Sequence, residues 1–123
     1  MSGLSGHMRL EIFVPTARMV DAAVVKVVAE GPEGFFALLP RHLDVAAALA
    51  PGLLTYVTVA GEERFLGIDE GVLVKCGAKV HVSVLDAFES DHLASLRAEV
   101  ASRFLSLDDH ERRTRTALAR LEA

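Results

Sequence analysis

The sequence predicts a mainly β protein with an α-helical tail: an N-terminal antiparallel β-sandwich followed by a C-terminal two-helix hairpin. Three observations carry this. Apolar residues alternate at period two from Arg9 to about Asp86. Glycines and prolines punctuate that stretch at short intervals, the pattern of short strands joined by tight turns. After Asp86 the apolar spacing changes to three and four residues, the stripe of an amphipathic helix. Hydrophobic residues make up 51% of the 123, so a chain of this length can build one core with a small appendage.

Residues 1–7, Met1-Ser2-Gly3-Leu4-Ser5-Gly6-His7, are small, polar and followed by a second methionine, and read as an expression scar. In the first strand Leu10, Ile12 and Val14 alternate with Arg9, Glu11 and Phe13. Later Val25, Val27 and Ala29 alternate with Lys26, Val28 and Glu30, and Val80, Val82 and Val84 with Lys79, His81 and Ser83. Such alternation turns one set to a core and the other outward, and β-branched valine suits the pleated surface. Turn signals fall at Gly31-Pro32, Pro40, Pro51-Gly52, Gly61, Gly67, Gly71 and Gly77. Leu53–Val59 and Glu63–Ile68 flank Ala60-Gly61-Glu62 as a hairpin. Val45 to Ala50 fits either a short strand or a turn of helix, because its helix-forming alanines lie between Pro40 and Pro51. The sandwich is therefore expected at 8–87 and the helical hairpin at 88–123.

Within the tail, Leu93, Leu96, Val100 and Phe104 form the apolar stripe of a first helix, with Ser90 or Asp91 as its cap. Leu105-Ser106-Leu107 is a break, and Ser106 or Asp108 caps a second helix from about Asp109 to Leu121. That helix has no large apolar residue between His110 and Thr116, so it is marginal alone. The abrupt end after Leu121 reads as a truncated tail.

Composition excludes several function classes. A net charge of -4 with no basic stripe argues against nucleic acid. No apolar run approaches the roughly 20 residues of a membrane-spanning helix, so membrane contact is expected to be peripheral and through partners. The single cysteine, Cys76, forms no internal disulfide, and its apolar strand context predicts a small buried hydrophobe. With no signal peptide the default compartment is the cytoplasm. His42, His81, His92 and His110 lack metal-ligand spacing. Ser83, His42 and Asp44 suggest a hydrolytic triad only in name, since no nucleophile elbow presents the serine. Gly31-Pro32-Glu33-Gly34 lacks the Lys-Ser/Thr of a phosphate loop. No catalytic, metal or cofactor residue is expected.

The run Glu30-Gly31-Pro32-Glu33-Gly34, a short apolar strand, Pro40-Arg41-His42, a small apolar run and Pro51-Gly52 resembles the epsilon subunit of F-type rotary ATP synthases. Met8 to Pro15 resembles that family's first strand and Asp21 to Glu30 its third. Gly71-Val72-Leu73-Val74 resembles its Gly-Gly-hydrophobic strand, with Glu70 for the first glycine, and Lys79 to Leu85 its final strand. The resemblance covers nearly the whole chain. It implies a non-catalytic rotor component of the central stalk that couples ion translocation to ATP synthesis. It implies a gamma subunit and the membrane rotor ring as partners, met through Pro40, Arg41 and His42. The implied location is peripheral, on the cytoplasmic face of the bacterial inner membrane.

Departures sharpen the reading. Most members carry Gly-His-Ala-Pro-Leu-Leu after the first proline, whereas here Arg41-His42-Leu43-Asp44-Val45 follows Pro40. That wording, with Asp69 to Gly77, resembles the divergent epsilon subunits of alternate, sodium-translocating F-type ATPases. The coupled ion, proton or sodium, stays open, because no residue of an epsilon subunit touches it. Some members bind ATP through an Asp-x-x-Arg-Ala run. Here Leu93, Arg97 and Ala98 fit but Ala94 replaces the aspartate, which counts against ATP binding by the tail. Arg112, Arg113, Arg115 and Arg120 cluster on the second helix, and the resemblance implies contact with acidic segments of the catalytic beta subunits and inhibition of hydrolysis. The competing reading of these arginines is a solvated face softened by Glu111 four residues before Arg115. The rival for the whole chain is a non-enzymatic β-sandwich binding module with a helical oligomerisation tail. A small hydrolase comes third.

Overall fold

The structure, a computed structural model, describes residues 6–105. Among the described residues nine strands precede one helix: β1 (Met8–Val14), β2 (Ala17–Gly31), β3 (Gly34–Leu38), β4 (Val45–Leu49), β5 (Gly52–Thr58), β6 (Glu63–Ile68), β7 (Gly71–Cys76), β8 (Lys79–Val84), β9 (Ala87–Ser90) and α1 (Leu93–Val100), which runs into a π-helical turn, Ala101–Leu105. The strand order is β4-β7-β8-β1-β2-β5-β6-β9, with β3 also on β2. Pairing is antiparallel except between β1 and β8, which run parallel.

β2 joins the two layers of the sandwich. Its first half pairs with β1 and its second half with β5 and β3. The register with β5 shifts between Val24 and Lys26, so two residues of β2 face one of β5. Such a bulge bends and twists a strand, as a strand serving both sheets must do. It also resets the alternation. Val24 and Val27 are both fully buried while Val25 is only half-buried, which corrects the simple period-two reading. The resemblance placed a first strand at Met8–Pro15 and a third at Asp21–Glu30; after β1 the structure has instead one continuous strand, Ala17–Gly31, whose interior no glycine or proline interrupts.

The core is the set of inward residues of both layers, among them Leu10, Ile12, Val24, Val27, Leu54, Leu66, Ile68, Leu73, Val80 and Val82. The ambiguous Val45–Leu49 is a strand, paired to β7 from Val45↔Lys75 to Leu49↔Gly71, so sheet pairing overrides the helix propensity of three alanines. Cys76 is exposed, contrary to the sequence expectation, and Lys75 is the buried neighbour. The phase of β7 is fixed by Leu73, which is fully buried and turns Lys75 inward and Cys76 outward.

The strand β9 extends the sheet through Ser90, so residues 88–90, which the sequence reading assigned to the helical tail domain, belong to the sheet. Its backbone pairs with β6, a non-local contact that local periodicity does not register. The cap of α1 also differs. His92 occupies the N-cap position without a side-chain hydrogen bond to the helix. Ser90 Oγ instead accepts from the His92 amide at 3.2 Å. The second helix of the expected hairpin lies outside the described residues, as do Arg112, Arg113, Arg115 and Arg120.

On the surface, Arg9 Nε donates to Asp21 Oδ1 at 2.6 Å across the β1–β2 ladder. That bond, with the charge of nearby Arg18, holds the Asp21 carboxyl below its ordinary range. A folded-state pKa below the unfolded one stabilises the fold above the unfolded pKa and loses that contribution as pH falls through the folded value. Asp21→Asn should therefore flatten the acid side of a melting-temperature profile and leave neutral pH almost unchanged. An unaltered acid limb would show that the pair contributes nothing, as many exposed pairs do.

Candidate docking surfaces

The β3–β4 loop carries the sequence-predicted residues. Pro40 is half-buried, and Arg41 and His42 are exposed. The loop is ordered by its own turn: the His42 amide donates to Leu39 O at 3.0 Å, and the Leu39 amide donates to His42 Nδ1 at 3.3 Å. Lys75 Nζ donates to His42 O at 2.7 Å, and Asp44 Oδ1 accepts from the Gly77 amide at 2.7 Å. Between these ties Leu43 is 87% exposed. The imagined triad dissolves on these contacts. Asp44 is bonded to Gly77, His42 to Leu39, and the Ser83 hydroxyl to His81 at 3.1 Å. Among the described residues no group of three or more His, Cys, Asp and Glu is placed to hold a metal.

A second surface was not singled out by sequence reading. The outer face of β4-β7-β8-β1 brings Ala46 opposite Val74, and Ala48 opposite Val72. Val72 lies across from Ser83, and Ser83 lies beside Phe13 in the parallel pair. Val72 is 51% and Val74 41% exposed. Phe13 is half-buried and stacks on His81 with centroids 4.7 Å apart. At one end of this face a shallow apolar cleft of about 520 Å³ is lined by Phe13, Val14, Pro15, Val72, Val84 and Leu85 among others. A sheet packed on both sides reads as a continuous apolar run, and one facing water reads as alternation. Val72-Leu73-Val74 is apolar at both parities, which was the available signal that a second face of β7 seeks cover.

A third surface is already covered. α1 lays Leu96 and Val100 on Leu53 and Phe88, with Phe65 and Phe104 alongside, as a core separate from the main one. Gly67 makes this possible, because a Cβ there would lie 2.5 Å from the Phe88 ring and 2.7 Å from Val100 Cγ2. Arg97, the arginine of the expected tail motif, pairs with Glu30 Oε2 at 3.6 Å and sits over the Phe35 ring at 5.7 Å. Glu30 Oε1 also accepts from the Leu53 amide at 3.1 Å, and Gly52 leaves room for this carboxylate. The spacing of Glu30 and Pro51-Gly52 thus has a physical basis in one contact joining β2, β5 and α1.

No helix of the described residues is long and apolar enough to cross a membrane. Residues 7–90 match a family model described as the ATP synthase, Delta/Epsilon chain, beta-sandwich domain. An ATP synthase epsilon chain 2 of Paraburkholderia xenovorans is 33% identical over 122 residues, 98% of this chain and 88% of that protein. One of Cereibacter sphaeroides is 30% identical over 118 residues, 94% and 81% of the respective chains. Among solved structures, a chain of the Euglena gracilis mitochondrial ATP synthase (OSCP/F1/c-ring) superposes with a TM-score of 0.65 at 16% identity, covering 77% of this chain and 73% of that one. A chain of the Tetrahymena thermophila mitochondrial ATP synthase central stalk and c-ring gives 0.58 at 14% identity, covering 77% and 88%. At such identities the structural likeness is one of fold.

Proposed function

This chain belongs to the epsilon-subunit family of F-type ATP synthases, non-catalytic components of the central stalk, and from that premise we propose how its surfaces divide the work. The outer face of Phe13, Ala46, Ala48, Val72 and Val74 docks on the gamma subunit. The loop of Pro40, Arg41 and His42 meets the membrane rotor ring. The observation that carries this is the exposed apolar sheet face, since contiguous apolar surface rimmed by polar groups marks an interaction site. Its rim holds Glu11, Lys79 and His81, which set orientation more than affinity. The chain thereby sits peripherally, at the cytoplasmic face of a bacterial inner membrane, through proteins and not through lipid. The test is reconstitution with gamma subunit and rotor ring. Co-migration of all three supports the reading, and failure to bind gamma overturns it in favour of a free-standing binding module.

The tail forms the second part of the proposal. A two-helix hairpin would begin with α1 at Leu93, and its arginines would grip acidic segments of the catalytic beta subunits when the arm extends. Exposed charged pairs contribute only about 0.2–1 kcal/mol to a domain's stability, so these arginines contribute little to the isolated fold. Replacing Arg112, Arg113 and Arg115 by Ala should leave melting unchanged and raise ATP hydrolysis by the assembled enzyme, less so at high salt. Unchanged hydrolysis in a complete, assembled complex would leave these arginines as a solvated face.

A further inference from the structure

We infer that Lys75 is a positioning residue for the rotor-facing loop: its buried ammonium fixes the Pro40–Asp44 segment in the shape that docks. The inference rests on the reading of that loop as a contact with the stalk's partners, and concerns how the contact is prepared. Lys75 is 2% exposed and stands on the inward face of β7, in phase with fully buried Leu73. A charge is tolerated there only when its donors are satisfied. Two carbonyls take two of its three N–H donors: His42 O at 2.7 Å in the β3–β4 loop and Gly77 O at 2.9 Å in the β7–β8 turn.

Asp44 closes the arrangement from the other side, taking the Gly77 amide at 2.7 Å. Gly77 has φ +61°, a left-handed conformation that glycine adopts freely, so the turn offers its amide and carbonyl to two side chains from different elements. The loop and the turn are 33 residues apart in sequence and are joined by these side chains. Asp44 stands at one of the positions where the loop departs from the pattern it resembles.

An apolar side chain would fill this strand position at no electrostatic cost, and replacing buried charges by hydrophobes is often neutral or stabilising. Lysine therefore contributes loop placement more than stability. A loop held in one shape loses less entropy on binding, which is the physical value of preorganisation. The beneficiaries are Arg41 and Leu43. Leu43 at 87% exposure is the most exposed large hydrophobic among the described residues, and it sits between the Lys75 and Asp44 ties.

The test uses the full chain and a gamma–ring assembly stripped of it. Lys75→Met should raise amide exchange of His42 by about tenfold while exchange in β1 and β8 stays unchanged, a local opening and not a global one. Association with the gamma–ring assembly should slow by about tenfold, with Lys75→Arg recovering part of the rate. Asp44→Ala, which removes an exposed side chain, should act in the same direction and keeps the test valid where Lys75→Met fails to fold. In a Leu43→Ser background, Lys75→Met should add little, because both act through one contact. Unchanged loop exchange in Lys75→Met and Asp44→Ala overturns the positioning role. A loosened loop with undiminished binding, in these variants and in Leu43→Ser, overturns the docking reading instead.

Discussion

Replacing Val72 and Val74 by aspartate is expected to abolish binding to the gamma subunit while the isolated chain still folds. Both valines point outward on β7, so neither belongs to the core around Leu73. The change removes β-branched residues from a strand, worth about 1 kcal/mol at most per site on the propensity scale. The docked state suffers far more. It loses apolar contact at the centre of the face and must bury two carboxylates with no partner provided. Each unpaired buried charge costs several kcal/mol, and about 1.4 kcal/mol is a factor of ten in affinity. Two such sites weaken binding on the order of a thousandfold or more. Val72→Thr with Val74→Thr separates shape from polarity, since threonine keeps the branched outline, and it should weaken binding less. Wild-type affinity in the aspartate variant, with melting preserved, would remove this face from the interface.

The valine face also marks where sequence reading ran out. Alternation in β1 and β8 placed Leu10, Ile12, Val80 and Val82 inward correctly, because polar partners such as Glu11 and His81 fixed the phase. In β7 every residue from Val72 to Val74 is apolar, and phase had no local marker. Burial of Cys76 was then the natural expectation and burial of Lys75 the unnatural one. Both were decided by contacts distant in sequence, the carbonyl of His42 above all. The bulge in β2 and the strand β9 were illegible for the same reason, since each exists through pairing with β5 or β6. Pro40, Arg41 and His42 were legible as a loop from their turn chemistry. The docking role proposed for them came from the resemblance, and what holds them in place came from the structure.

Leu96→Ala is expected to detach α1 from the sandwich without unfolding it. Leu96 is fully buried and Val100 nearly so, yet their cluster is separate from the main core. The helix has little strength of its own. Its α-helical part is eight residues long and continues only through one π-helical turn, it has no side-chain cap, and it carries no acidic residue in its first turn. Helices under about 12–15 residues are marginal in water, so docking sustains this one. A buried Leu→Ala change costs about 2–5 kcal/mol. That is large beside the roughly 0–1 kcal/mol of an exposed ion pair such as Arg97–Glu30, so the pair cannot hold the helix when Leu96 is gone. Amides of α1 should lose protection while those of β1, β2 and β8 keep theirs. Gly67→Ala should do the same from the sheet side, because its Cβ would strike Phe88 and Val100. Simultaneous loss of protection throughout the chain would instead make α1 part of a single cooperative core. If the tail is the inhibitory arm proposed above, detaching its helix favours the gripping state, so Leu96→Ala should lower ATP hydrolysis in the assembled enzyme, opposite in sign to removal of Arg112, Arg113 and Arg115. Combining the changes should restore hydrolysis toward the arginine variant's level, since an arm that is free but cannot grip does not inhibit.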